Sequence, residues 1–186
     1  MLFHGSKVNR ALSVFDHTHG RWAAIPLRDQ LVSITQKQPS RPANAHAVYK
    51  QSLALTTWNI QASGSKPVDL SPVTRFEPIL DRILKGPNVP DIIFLQEVVS
   101  SVREYLLSDS RVRSSFLTTD AEDDTAFKNV PFATMTLLSN KRFTPLSLSE
   151  KDGVERKGEG GSKAVVDNVF RMELPTQWGN GYFSVV

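Results

Sequence analysis

The order of apolar runs and turn signals along this chain predicts a mixed α/β fold. Three observations carry that prediction. Two apolar runs, LTTWNIQ at residues 55 to 61 and DIIFLQEV at residues 91 to 98, suit strands. Between them lies an apolar stripe at helical spacing, as a strand–helix–strand unit requires. From residue 132 onward the chain changes to short apolar segments separated by turn residues, the pattern of antiparallel strands.

The elements follow in order. Residues 11 to 34 hold two short apolar pieces, ALSVF and RWAAIPL, split by DHTHG, which predicts a small hairpin or extended arm. QKQPSRPANAH, residues 36 to 46, is rich in proline and polar residues and reads as a linker. Residues 1–50 are therefore expected to be an arm and linker, and residues 51–186 a domain. LALTTWNI, beginning at Leu53, predicts a buried strand that includes Trp58. Ser71 followed by Pro72 is a helix N-cap with proline at the first helical position. Val73, Phe76, Ile79, Leu80, Ile83 and Leu84 then give one apolar face, and Gly86-Pro87 ends the helix. Pro78 inside the run predicts a kink or a late start.

DIIFLQEV is apolar at almost every position, as in a strand covered on both faces. Residues 100 to 108 read as helix and TTDAEDDTAFKN as an acidic loop. FATMTLLSN and FTPLSLS predict adjacent strands joined by Asn140-Lys141-Arg142. EKDGVERKGEGGSK is a long, charged, glycine-rich loop. Asn180-Gly181, between AVVDNVFRMEL and YFSVV, predicts a hairpin turn.

Composition narrows the function classes. The 186 residues are 40% hydrophobic, too apolar for a disordered chain. The formal charge of +3 is compatible with a polyanionic substrate but falls short of the dense basic stripe of a dedicated nucleic-acid binder. With no cysteine, disulfides, thiol catalysis and cysteine-held zinc are excluded. No apolar run is long enough to cross a bilayer, so no membrane partner is expected. The first residues lack the apolar core of a signal peptide, which predicts an intracellular protein of nucleus or cytoplasm rather than a secreted one.

Two polar residues stand out because each closes an apolar strand. Glu97 sits where active sites of α/β folds gather, at the C-terminal edge of a central strand. A lone carboxylate there suits a hard cation that keeps most of its water; equally, it suits a helix cap. Asn59 has the same placement on the first strand, and its amide both donates and accepts. Alone it reads as a turn residue. If the strands are parallel neighbours, however, their ends lie within roughly 10 Å of each other.

Other features point to the plainer reading. His17 and His19 form a His-x-His pair in a polar turn with no third ligand nearby, so exposure is expected. GVERKGEGGSK has Glu159 where a phosphate-binding loop needs lysine, and reads as a plain loop. Trp22, Trp58 and Trp178 suit base stacking, although Trp58 fits a core position better. Arg156, Lys157 and Lys163 are placed to touch a nucleic-acid backbone.

TWNIQ with Asn59 and PDIIFLQEV with Glu97, thirty-eight residues apart, resemble the first two motifs of the endonuclease/exonuclease/phosphatase family, whose fold is the DNase I-like α/β sandwich. The wording is closest to the 5′-tyrosyl-DNA phosphodiesterase branch. The likeness covers about residues 53 to 186. It implies a metal-dependent phosphodiester hydrolase acting on nucleic acid, most naturally DNA. It implies that Glu97 binds Mg²⁺, with Mn²⁺ as a substitute, and that Asn59 serves catalysis by holding the phosphate. It points to no particular substrate-binding residue. The family's later motifs, a Ser/Thr-His-Leu-Glu strand end, Gly-Asp-x-Asn and Ser-Asp-His, do not occur in these residues. The expectation is therefore a sandwich truncated after its N-terminal half and inactive alone. The alternatives are a phosphoinositide or other phosphoesterase of the same fold, or a non-catalytic binding protein.

Overall fold

In the computed structural model, which describes residues 7–26, 52–60, 70–128, 132–145, 163–166, 169–176 and 179–185, the chain is mixed α/β. Strands β1 (Lys7–Arg10), β2 (Leu12–Asp16) and β3 (Arg21–Ala24) come first. Strand β4 (Leu55–Asn59), helix α1 (Pro72–Leu84) and strand β5 (Ile92–Val98) follow. Helices α2 (Ser100–Ser108) and α3 (Ser110–Ser115) lead into β6 (Phe116–Thr119). A 3₁₀ turn at Thr125–Phe127 precedes β7 (Ala133–Ser139) and β8 (Phe143–Pro145). The last described strands are β9 (Ala164–Val166), β10 (Val169–Thr176) and β11 (Gly179–Val185).

Six strands form one sheet in the order β3-β2-β6-β7-β5-β4. Within it β4 and β5 are parallel, linked through α1, and the other neighbours are antiparallel. Strands β1, β10 and β11 make a second sheet, and β8 and β9 a parallel pair.

Side-chain alternation divides the core between the two faces of the main sheet. Ile93 and Leu95 of β5, Met135 and Leu137 of β7 and Phe116 of β6 face one way. They meet Phe76, Leu80 and Ile83 of α1 and Val102, Leu106 and Leu107 of α2. Each such side chain taken out of water contributes about 2 kcal/mol. On the other face Leu12, Leu117 and Leu138 pack with Phe143, Val166 and Val169 from β8, β9 and β10. The sheet is thus covered by helices on one side and by strands on the other.

Local chemistry explains the helices. Ser71 Oγ accepts from Thr74 N at 3.2 Å, capping α1 where Ser-Pro predicts it. The helix begins at Pro72, not after Pro78, and runs through Pro78 to Leu84. Pro78 is exposed, and the apolar stripe on the opposite side of the helix outweighs the one hydrogen bond that proline removes. Asp109 caps α3 by accepting from Arg111 N at 2.8 Å.

Several sequence expectations are corrected. Strand β4 is not buried: Leu55, Thr57, Trp58 and Asn59 are exposed. It ends the sheet, with β5 its one neighbour among the described strands, and the helix layer centres on β5 and β7. Trp58 is accordingly 39% exposed rather than a core residue. The hairpin read in residues 11 to 34 forms as β2–β3, but it extends the main sheet through β6 instead of standing apart as an arm. Strand β8 does not pair with β7; after Asn140-Lys141-Arg142 the chain turns away and β8 pairs with β9. The β10–β11 register closes Thr176 on Gly179, so Asn180-Gly181 lies within β11, opposite Pro175 and Leu174, and is not the turn. The loop at 150–162, with Arg156, Lys157 and Glu159, falls outside the described residues, as does Trp178.

Candidate functional site

Asn59 and Glu97 meet. Asn59 Nδ2 donates to Glu97 Oε1 at 2.9 Å, at the C-terminal ends of the two parallel strands. The register pairs Asn59 with Gln96, not with Glu97. On a regular strand Glu97 would share a face with Ile93 and Leu95, which lie under the helices. Asn59 shares the opposite face with Thr57 and Gln96; Gln96 Nε2 donates to Thr57 Oγ1 at 2.9 Å. Simple alternation would therefore place the two side chains on opposite sides of the sheet.

A β-bulge removes that obstacle. Leu95 pairs with Met135 and Val98 with Ala133, so Gln96 and Glu97 stand opposite the single residue Thr134. Both Leu95 and Val98 are buried in the core under the helices although three residues apart, an odd spacing that only a bulge permits. Glu97 absorbs the extra residue with φ 55, a left-handed conformation rare for a residue with a Cβ. In this conformation its carboxylate meets Asn59. Backbone strain of this kind gathers at functional sites.

Neighbouring groups steady the site. Ile60 is buried, and its N–H donates to Gln96 O at 3.0 Å, which fixes the backbone directly after Asn59. Helix α2 starts three residues after Glu97, and its Val102 is fully buried. Arg103 donates from Nε to Asp120 O and from Nη2 to Ala121 O, both at 2.7 Å, holding the loop after β6. Asp120 is the other described non-glycine residue with positive φ, at 59. Strand β6 runs parallel to β5 with β7 between them, so Asp120 ends at the same sheet edge as Glu97, about 10 Å away by strand spacing. Sequence reasoning missed it, because Thr-Thr-Asp-Ala-Glu-Asp-Asp reads as one acidic loop. Its only signal is that it comes three residues after an apolar pair, Phe116-Leu117, directly behind the β-favouring Thr118-Thr119.

The other candidates are structural. His17 and His19 are exposed in the β2–β3 turn, where His19 Nδ1 meets Asp16 Oδ2 at 2.6 Å. That hydrogen bond holds the Asp16 carboxyl below its ordinary range. His17 lies edge-on to Phe15. Trp22 Nε1 donates to Leu107 O at 3.1 Å and packs against the helix-side core, so its ring serves packing. Lys163 Nζ donates to Asn140 O at 2.7 Å, far from Glu97 in the fold.

As a donor set, one carboxylate oriented by an amide fits a hard cation such as Mg²⁺, which is held by one or two carboxylates and keeps several waters. Among the described residues no three His, Asp or Glu side chains cluster as ligands. No described helix is long and apolar enough to cross a membrane. Comparison with family models, with curated proteins and with solved structures finds no match to this chain.

Proposed function

We propose that Asn59 and Glu97 form part of the site of a metal-dependent phosphodiester hydrolase acting on nucleic acid, of the DNase I-like type. The observation that carries this reading is the 2.9 Å Asn59–Glu97 hydrogen bond, made across a strained bulge at the C-terminal edge of parallel strands. Packing alone does not call for it, since Asn59 is exposed. The strands covering the second face of the sheet also suit a sandwich. The basic balance of +3 suits a polyanion.

Glu97 would hold Mg²⁺ or Mn²⁺, and Asn59 would keep its carboxylate aimed and stand beside the phosphate. The ion, when bound, would neutralise charge on the phosphate. Bonding to the amide immobilises one carboxylate oxygen and so lowers the entropy lost when the other meets a ligand. Hydrolysis also needs a base to activate water and a donor for the developing charge. Neither Asn59 nor an engaged Glu97 supplies them, so this site is expected to bind metal without turnover.

Mn²⁺ titration followed by paramagnetic resonance tests the reading, with a 5′-phosphotyrosyl oligonucleotide and Mg²⁺ as the activity assay. Glu97→Gln should abolish most Mn²⁺ binding, and Asn59→Ala should weaken it roughly tenfold. No cleavage above background is expected. Equal Mn²⁺ binding by wild type and Glu97→Gln would refute the metal role. Turnover abolished by Glu97→Gln would show that another residue of the chain supplies the base.

A further inference from the structure

A concave region lies at the other end of the main sheet, around Asp91, just before β5 begins. It is a half-open depression of about 570 Å³. Small-molecule pockets run from about 300 to 1,000 Å³. Strand β5 has seven residues, so at about 3.3 Å each the cavity lies roughly 20 Å from Glu97. It is a separate site.

Part of its lining is apolar, from Leu53, Pro87 and Val89. Leu53 is 48% and Val89 44% exposed. Another part is the turn between β7 and β8, which carries Lys141 and Arg142. That turn is held from several directions. Asn140 N donates to Ser115 O and Asn140 Nδ2 to Ser114 O, both at 2.9 Å. Lys163 Nζ donates to Asn140 O, Arg142 N to Ser139 O at 3.0 Å, and Ala164 N to Arg142 O at 2.8 Å. The cavity is therefore formed before any ligand arrives, which lowers the ordering cost of binding.

Charge narrows the ligand. Among the described residues, Asp91 is the one acidic residue in the lining. Its Oδ2 accepts from Ala54 N at 3.0 Å, and its Oδ1 lies 3.6 Å from Arg142 Nε. Arg142 Nη2 donates to Ser52 O at 3.0 Å. Asp91 and Arg142 thus offset each other. The Lys141 ammonium remains, exposed, and no described residue accepts a hydrogen bond from it. An inorganic anion would gain little from one solvated lysine. A neutral apolar molecule would leave the charge unused.

We propose that this cavity binds a small organic monoanion with an apolar ring body. Its anionic group meets Lys141, and its ring lies against Leu53 and Val89. The test is titration of the full chain with 8-anilino-1-naphthalenesulfonate, compared with N-phenyl-1-naphthylamine, which lacks the sulfonate. The sulfonate probe should saturate at one equivalent and bind more tightly than the neutral one. Lys141→Gln should weaken it about tenfold, as loss of one charge-assisted contact requires. Lys141→Arg should restore most of the affinity, and Val89→Asp should weaken it with the melting temperature unchanged. Absence of saturable binding, equal affinity for both probes, more than one equivalent bound, or wild-type affinity in Lys141→Gln or Val89→Asp would each overturn the proposal.

Discussion

Glu97→Gly and Glu97→Ala, made side by side, test whether the end of β5 stores backbone strain. Both substitutions remove the carboxylate and the hydrogen bond from Asn59, so those losses cancel in the comparison. Alanine keeps a Cβ at φ 55, a conformation that costs an L residue about 1–2 kcal/mol. Glycine avoids that cost but loses more chain freedom on folding, by about 0.5–1 kcal/mol relative to alanine. The glycine variant should therefore be the more stable of the two by about 0.5–1 kcal/mol. For a chain of this length that is roughly 1–4 °C in melting midpoint. Urea denaturation followed by circular dichroism measures it, provided the two m-values agree. Neither variant should hold metal. If alanine equals or exceeds glycine, the left-handed backbone is a consequence of the Asn59 contact and relaxes with it. The bulge would then not be built into β5.

Two further outcomes concern stability. Asp109→Ala removes the α3 cap and the partner of Arg111, and should cost about 1–2 kcal/mol by denaturant titration. The Arg111 hydrogen bond holds the Asp109 carboxyl below its ordinary 3.8 in the folded chain, against the opposing effect of burial. Its contribution is therefore present above about pH 3.8 and lost as pH falls through the lower folded value. The wild-type melting temperature should drop more steeply than that of Asp109→Ala below pH 4, and parallel acid slopes would refute the assignment. Thr136→Val should be neutral or stabilising by up to about 1 kcal/mol, because Thr136 Oγ1 is buried without a hydrogen-bond partner among the described residues. A loss above 1 kcal/mol would mean that the hydroxyl is satisfied after all. Its backbone bonds to Thr118 and Thr119 do not depend on the side chain.

Local chemistry made much of this molecule legible in sequence. Ser71-Pro72 and the stripe from Val73 to Leu84 specify α1, because cap and stripe act within a few residues of themselves. The apolar runs locate β4 and β5, and the polar residues at their C-terminal ends mark Asn59 and Glu97 as candidates. What the runs do not encode is cover. LTTWN reads as buried because strand periodicity specifies which face a side chain takes, not whether anything packs on that face; β4 lies at the sheet edge and Trp58 is exposed. The short α3 and β6 are not legible in the sequence, since SRVRSS has no wide apolar stripe and depends on the Asp109 cap and on burial of Val112. Partner choice for β8 and the register of β10 on β11 rest on contacts between distant residues.

The site divides in the same way. Two strand ends, a donor amide and a carboxylate can be read from the residues alone. Strict alternation of the same sequence would place them on opposite faces of the sheet. Their meeting depends on the extra residue opposite Thr134, where pairing of β5 with β7 resumes at Val98 and Ala133 and forces Glu97 into the left-handed region. Only the folded sheet decides this, because the bulge arises where β5 pairs with β7, and the stretch around Glu97 does not contain β7.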